Sequence, residues 1–210
     1  AMVSDFAESR LFWNARNGRF VDGTVAAGVG TDEHGMGGVI GDFDGDGRFD
    51  LFVTSIFIAN HPLGTGNRLY RNLGDRQFAD VTEVAGVRDG SWGWGADGFD
   101  LDNDGDLDIV QTNGASAQDD PFVADELGEI DFGAFANDPV RLWRNEGQGG
   151  FTEVAAASGL VDQGIGYGVA TFDYDADGDL DVLLLHDCCE PPKLFRNDGG
   201  QFSRQGEASG

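Results

Sequence analysis

The sequence of 210 residues has few cysteines, few basic residues and no long hydrophobic run. Its two cysteines, Cys188 and Cys189, are adjacent and cannot link distant parts of the chain, so a vicinal disulfide, free thiols and a bond to another chain all stay open. No stretch approaches the roughly 18 apolar residues of a membrane-spanning helix, which argues against membrane insertion. With 13 Lys and Arg against 38 Asp and Glu, the net charge of −25 argues against nucleic acid or an anionic membrane as a partner.

Glycine and acidic residues are what the chain has in abundance. Its 34 glycines are roughly twice the usual share of about 7%. Hydrophobic residues make up 40% of the sequence, which is enough for a packed core. An acidic excess of this size is either solvated or neutralised by cations, and the positions of the acids decide between the two.

Three sequence elements recur along the chain, in a fixed order. An Arg-Leu-aromatic-Arg-Asn run occupies residues 68–72 and 141–145, returns with Lys at 193–197, and is weaker at 10–14. A second run led by Phe and an elbow of small residues follow it. The third element is an acidic nonapeptide, and its first residues are 58 and 73 positions apart. The three nonapeptides are residues 42–50 (loop one), 100–108 (loop two) and 173–181 (loop three).

The local pattern predicts an all-β protein. A short apolar run follows each nonapeptide, and no window predicts an amphipathic helix of useful length. Each repeat therefore contains four strands, A to D, with the nonapeptide between A and B, and this is typical of a β-propeller blade. An irregular β-sandwich is the alternative. The expected divisions of this single propeller segment, residues 1–210, are a partial blade of strands C and D at 10–30 and full blades at 36–87, 93–160 and 166–210.

These divisions give about three and a half four-stranded antiparallel blades. Their fourteen strands are about half of a seven-bladed propeller. We therefore expect that the segment is part of a longer propeller or is completed by another chain.

The nonapeptides predict three calcium sites. Each has Asp at positions one, three and five, Gly at six and Asp at nine, and Ca²⁺ takes six to eight oxygens at about 2.3–2.6 Å. Position seven offers its backbone carbonyl, and magnesium, which keeps more waters, is less favoured. An EF-hand is excluded because position twelve is not Glu and the flanks are strands. The predicted ligands are Asp42, Asp44, Asp46, Arg48 and Asp50; Asp100, Asp102, Asp104, Asp106 and Asp108; and Asp173, Asp175, Asp177, Asp179 and Asp181.

The loops resemble those of FG-GAP/VCBS repeats, the calcium-binding blades of integrin-α-type propellers. The run from Arg68 to Val87 is similar to VCBS-repeat proteins of the ASPIC/UnbV and cartilage-acidic-protein type. The resemblance implies a calcium-stabilised propeller that is extracellular, at the cell surface or periplasmic, and used for adhesion or recognition. Only the three loops carry over from the family, and no integrin ligand-binding residue does.

The propeller face opposite the loops is the expected place for a protein or glycan ligand, because function lies on variable loops held by a rigid scaffold. The candidate residues there are aromatic: Trp92, Trp94, Tyr167, Phe122 and Phe132. Packing between blades is the alternative for the tryptophans and the tyrosine. The insertion at 115–138 predicts a docking loop or an extra cation site, with a tolerated surface insertion as the alternative.

Three function hypotheses follow. The first is a non-catalytic binding, adhesion or structural module. The second is the propeller domain of a lyase-like, polysaccharide-acting enzyme, for which His34, His61 and His186 could crowd one face. The third is an architectural repeat of a surface assembly or filament that associates through open blade edges.

Overall fold

The computed structural model describes residues 9–62, 64–115, 132–187 and 190–206. Within these ranges the chain forms fourteen short strands, three one-turn helices and one 3₁₀ turn. The strands and helices are β1 (Phe12–Asn14), β2 (Phe20–Asp22), α1 (Thr24–Ala27), β3 (Gly38–Gly41), β4 (Asp50–Val53), β5 (Arg68–Gly74), β6 (Gln77–Asp80), α2 (Thr82–Ala85), β7 (Gly93–Phe99), β8 (Asp108–Asn113), the 3₁₀ turn (Phe132–Phe135), β9 (Arg141–Asn145), β10 (Phe151–Glu153), α3 (Ala155–Ser158), β11 (Gly166–Phe172), β12 (Asp181–His186), β13 (Lys193–Asn197) and β14 (Phe202–Arg204).

The strands form one two-stranded and three four-stranded antiparallel sheets. Strands β1 and β2 pair as a half-blade, and blades one, two and three are β3–β6, β7–β10 and β11–β14. In each blade the strands follow one another in chain order as a meander. Register is equivalent between blades: Leu51 lies opposite Tyr70, and Ile109 lies opposite Trp143. This is the propeller architecture that the repeats predict.

Apolar side chains between successive sheets hold the blades together. Between blades one and two, the ring of Phe52 meets the ring of Trp143 edge to face, with centroids 6.0 Å apart. Val182 and Leu184 of blade three pack against Val110 and Leu142 of blade two. Full burial of each side chain of this size stabilises the folded state by roughly 1.5–3 kcal/mol. The core is therefore a series of layers between sheets, and each blade depends on its neighbour.

The elbows contain a feature that the sequence did not predict, a single helical turn after each of the strands β2, β6 and β10. Asp80 accepts hydrogen bonds from the N–H and the hydroxyl of Thr82, and that hydroxyl accepts the N–H of Leu69 at 2.8 Å. A left-handed glycine ends each turn, at Gly28, Gly86 and Gly159. Four residues are too few to leave a helical period in the sequence. Among the described residues, no helix is long and apolar enough to cross a membrane.

Candidate metal centres

The three acidic nonapeptides connect strand A to strand B in blades one, two and three, so they lie at the same end of the propeller. Position six is left-handed in all three loops, with φ values of 84°, 95° and 100° at Gly47, Gly105 and Gly178. A side chain would resist this conformation, which explains the glycine. The position-one carboxylate then accepts two backbone N–H groups from across the loop. In loop one, Asp42 accepts those of Asp46 at 3.1 Å and Gly47 at 2.8 Å.

The position-nine aspartates are the buried members of the loops. Asp50, Asp108 and Asp181 begin the central strands β4, β8 and β12, and each is at most 2% exposed. One carboxylate oxygen accepts the N–H of position two in the same loop. The other accepts the N–H of the asparagine that ends or nearly ends strand C. In loop two these bonds join Asp108 to Leu101 at 2.6 Å and to Asn145 at 2.7 Å.

Positions one, three and nine converge in every loop. In each loop the three carboxylates offer one oxygen apiece, and these oxygens lie within 4.8 Å of one another. A group of three carboxylates could hold a metal ion, and an all-oxygen donor set suits a hard cation. The buried Oδ1 of Asp102 also has no hydrogen-bond partner in the described part of the chain. The converging residues are Asp42, Asp44 and Asp50; Asp100, Asp102 and Asp108; and Asp173, Asp175 and Asp181.

The position-five and position-seven side chains lie outside these groups. Each position-five carboxylate accepts the N–H of position seven two residues later, at 3.0, 2.9 and 3.0 Å for Asp46, Asp104 and Asp177. At position seven, Arg48 pairs with Asp46 and donates to the carbonyl of Asn72. The carboxylate of Asp179 accepts the side-chain amide of Asn103 in loop two, at 2.7 Å.

Burial and crowding oppose ionisation of the grouped carboxylates. Burial raises the pKa of Asp108 to about 7, against two backbone hydrogen bonds that lower it. Burial also raises the pKa of Asp50, again against two backbone hydrogen bonds. Burial, together with the charges of Asp104 and Asp100, raises the pKa of Asp102. A divalent cation would reverse this balance, because it stabilises the ionised forms that burial disfavours.

Basic side chains partly offset the negative charge at two loops. The Arg71 guanidinium lies 3.4 Å from the carboxylate of Asp44. In loop three, Arg196 lies 2.8 Å from Asp175 and 2.9 Å from Asp177. Both arginines come from the repeated Arg-Asn pair of strand C, so the same motif that packs the blade also faces its acidic loop.

The aromatic candidates lie at the opposite end, where strands β7 and β11 begin. The rings of Trp94 and Tyr167 meet edge to face with centroids 4.6 Å apart, and Tyr167 is 36% exposed. Trp92 is 3% exposed and packs against Phe135, so its ring lies in a core cluster and not on the surface. Phe122, residues 116–131 of the insertion, Cys188 and Cys189 lie outside the described residues, as does the side chain of Phe132.

Two of the three histidine side chains are buried, and the third residue is half-buried. His34 is 2% exposed. The His186 ring is fully buried, and its Nε2 lies 2.6 Å from the carboxylate of Asp162, which also accepts the ammonium of Lys193 at 2.5 Å. His61 is half-buried in the connection between β4 and β5.

Asparagine at the end of strand C has a role that the sequence analysis missed. Asn72, Asn145 and Asn197 belong to the repeated Arg-Asn pair, and each donates its backbone N–H to a position-nine carboxylate. The repeated Arg-Asn pair marks these asparagines in the sequence. Their hydrogen-bond partners lie in other strands, so spacing along the chain could not identify them.

Comparison with known proteins identifies relatives. The family described as FG-GAP-like repeat matches residues 1–53, 56–110 and 128–184. The chain is 29% identical over 199 residues to cartilage acidic protein 1 of Mus musculus, 29% over 199 residues to that of Homo sapiens, and 27% over 201 residues to that of Xenopus tropicalis. Each match covers 90% of this chain but only 27%, 26% and 27% of the relatives, so the chain spans about a quarter of their length.

Proposed function

The chain belongs to the FG-GAP-like repeat family, and we propose that it is a calcium-stabilised β-propeller segment acting as a non-catalytic binding or adhesion module. The observation that carries this proposal is the same three-carboxylate group at the same place in three successive blades. Three repeats of one geometry argue for a shared ligand, since chance acidic turns would differ from blade to blade.

Calcium fits the chemistry of the groups. Ca²⁺ takes six to eight oxygens. Positions one, three and nine supply carboxylates, and we assign the remaining protein oxygens to the position-five carboxylate and the position-seven carbonyl, with water completing the shell. The bound ion supplies positive charge to a site where carboxylates otherwise repel one another. At ~4 Å two like charges near a protein surface repel by about 4 kcal/mol at most.

Metal binding adds to the stability of the fold. A ligand at ~100 times its dissociation constant stabilises the folded state by about 2.7 kcal/mol per site. Three sites would together contribute about 8 kcal/mol, which is comparable to the stability of a whole domain. The loops and the blades are therefore expected to fold as one calcium-dependent unit.

Thermal unfolding followed by circular dichroism tests the proposal. EGTA should lower the Tm, and Asp44→Asn should remove roughly 5–10 °C of the calcium-dependent increase, because it disables one site in a domain of this size. Asp75→Asn is the matched control, since Asp75 is exposed in the turn between β5 and β6 and makes the same charge change. A Tm that EGTA leaves unchanged would contradict the proposal.

We place the ligand-binding surface at the end opposite the loops, for a protein or glycan partner. Trp94 and Tyr167 support this because adjacent blades bring their rings together where β7 and β11 begin. On an array of immobilised glycans, Tyr167→Ala should lose bound signal while keeping its calcium content. If that variant retained all glycan binding, Tyr167 would not be part of the ligand-binding surface, and its role would be packing between blades.

We propose an extracellular, cell-surface or periplasmic location, with neither nucleic acid nor membrane insertion involved. The acidic composition supports this, as does the expected supply of calcium outside the cytoplasm. Burial argues against the lyase alternative, because two of its three candidate histidines, His34 and His186, have buried side chains. Secretion of the full-length protein by its native cell, measured by fractionation, tests the location; retention in the cytosol would contradict it.

A further inference from the structure

Two asparagine side chains join the acidic loops of neighbouring blades. The Nδ2 group of Asn145 in blade two donates to the backbone carbonyl of Phe43 in loop one, at 2.8 Å, across 102 positions of sequence. The Nδ2 group of Asn197 in blade three donates to the carbonyl of Leu101 in loop two, also at 2.8 Å. Phe43 and Leu101 both occupy position two of their loops. Each asparagine is at most 3% exposed, so these bonds are shielded from water.

The same asparagines hold the loop of their own blade. Asn145 donates its backbone N–H to Asp108 and its side chain also to the carbonyl of Leu107, at 3.1 Å. Asn197 repeats this with Asp181 and the carbonyl of Leu180. One residue therefore contacts position nine of one loop and position two of the preceding loop.

The contacts form a continuous path through the three loops. Asp50 accepts the N–H of Phe43, whose carbonyl accepts the side chain of Asn145. The N–H of Asn145 then reaches Asp108, and Asp108 also accepts the N–H of Leu101. From the carbonyl of Leu101 the path continues through Asn197 to Asp181 and Tyr174. All three buried position-nine carboxylates lie on this path.

Packing at the same seams supports the hydrogen bonds. In blades two and three, the turn between strands C and D lies over position three of the preceding loop. A Cβ atom at Gly149 would be 3.4 Å from Cβ of Asp44, and one at Gly200 would be 3.4 Å from Cβ of Asp102. Each of these loops therefore contacts the next blade at two places, position two and position three, and a shift of the loop would disturb both contacts.

We propose that Asn145 and Asn197 are positioning residues that couple neighbouring metal loops, so that Ca²⁺ bound in one loop strengthens Ca²⁺ binding in the next. The inference rests on the proposed calcium sites. Ion binding in loop one fixes Asp42, Asp44 and Asp50 around Phe43. The ordered Phe43 carbonyl holds Asn145, and Asn145 holds Asp108 in the geometry that loop two needs. By linkage the effect is reciprocal.

Asn72 provides a control within the chain. It donates its N–H to Asp50 at 2.8 Å and its side chain to the carbonyl of Phe49 at 2.9 Å, as its counterparts do in their own blades. The preceding half-blade has no acidic loop between its described strands, and among the described residues the side chain of Asn72 donates within its own blade and not to a preceding loop. Its substitution should disturb one blade without uncoupling two loops.

The test measures a coupling factor between loops one and two. Every variant in this comparison carries Asp173→Asn, which removes calcium binding by loop three. Adding Asp100→Asn or Asp42→Asn leaves one active loop and gives each single-site association constant by isothermal titration calorimetry. The coupling factor is the two-site overall constant divided by the product of the single-site constants. Couplings of this kind are typically about 5- to 150-fold, and we expect about 5- to 10-fold.

Asn145→Ala should reduce the coupling factor to about 1, and Asn72→Ala should leave it unchanged. A coupling factor near 1 without any asparagine substitution overturns the inference and leaves the calcium sites standing. A factor that survives Asn145→Ala overturns the role of Asn145. If the loops bind no calcium at all, the proposed function itself fails. Should Asn145→Ala not fold, Asn197→Ala with loop one silenced by Asp42→Asn repeats the cycle at the second seam.

Discussion

At the scale of single residues, the position-nine aspartates are both deeply buried and hydrogen-bonded to the backbone. Asp50, Asp108 and Asp181 are the most buried acids of their loops, and each anchors two backbone N–H groups. Two hydrogen bonds alone do not offset burial at Asp108, whose pKa is raised to about 7. A bound cation would supply the missing stabilisation of the charged form.

The raised pKa of Asp108 predicts that calcium binding releases protons. Without metal its raised pKa, about 7, leaves part of the Asp108 carboxyl groups protonated at neutral pH, and Ca²⁺ requires the ionised form. Calcium affinity of loop two should therefore fall as the pH drops below about 7 and level off above it. Calorimetry in buffers of different ionisation enthalpy should report a release of protons that grows as the pH falls.

The control for this prediction is Asp108→Asn, which should abolish both the proton release and the calcium bound by loop two. Equal heats in all buffers for the unsubstituted chain would contradict the prediction.

The chemistry of single residues was only partly predictable from the sequence. The spacing identified the loops, and the structure brings positions one, three and nine together. The spacing could not show that the carboxylate of Asp46 accepts the N–H of Arg48, because this contact depends on the backbone path of the loop. The partner of Asn145 was equally hidden, since it lies in another blade.

At the scale of elements, the glycine elbows set how closely successive blades approach. A Cβ atom at Gly159 would lie 2.7 Å from the carbonyl oxygen of Phe202, the first residue of β14 in the next blade. The equivalent distances are 3.1 Å from Gly28 to Phe78 and 3.3 Å from Gly86 to Phe151. The elbow thus needs glycine both for its left-handed backbone and for the space beside the next strand D.

Gly159→Ala tests the elbow. Gly159 has a φ of 82°, so alanine is strained there by about 1–2 kcal/mol, and the backbone of Phe202 adds a clash. Gly18→Ala is the matched control, because Gly18 has a φ of 77° and nothing within 4 Å of the added Cβ. In urea unfolding with calcium, Gly159→Ala should lose more stability than Gly18→Ala. Equal losses would mean that no blade contact is involved.

The element scale was the most predictable from the sequence. Apolar runs bounded by turn residues identified strands such as β4, β8 and β12, and the repeats identified their order. The one-turn helices were not predicted because their signals are short: an Asp-x-Thr pair in α1 and α2, a Glu-x-Ala pair in α3, and a single left-handed glycine in each, none of which has a helical period. Packing was one of the two alternatives for Trp92, but its partner Phe135 could not be predicted because burial at a blade entrance depends on the neighbouring loops.

At the scale of the whole molecule, both outer faces of the layered blades expose apolar side chains. Leu185 on the outward side of β12 is 41% exposed, and Phe20 in the half-blade is 66% exposed. The alternation of β12 puts Val182 and Leu184 in the core and Leu185 on the other side. We propose that further blades or a second chain cover these faces.

Sedimentation velocity of the 210-residue polypeptide tests this proposal. The polypeptide should associate as its concentration rises, and Phe20→Glu with Leu185→Glu should weaken association. Val84→Glu is the control, because Val84 is 91% exposed but lies in α2, away from the outer faces. A monomer at every concentration would contradict cover by a second copy of this chain.

We propose that three equivalent loops bind calcium in a chain whose net charge is −25. Native mass spectrometry across a calcium titration counts the bound ions. We expect three ions per chain, and two in each of Asp42→Asn, Asp100→Asn and Asp173→Asn, with Asp75→Asn retaining three. A chain that binds no calcium, or that binds ions which none of the three loop substitutions removes, would contradict it.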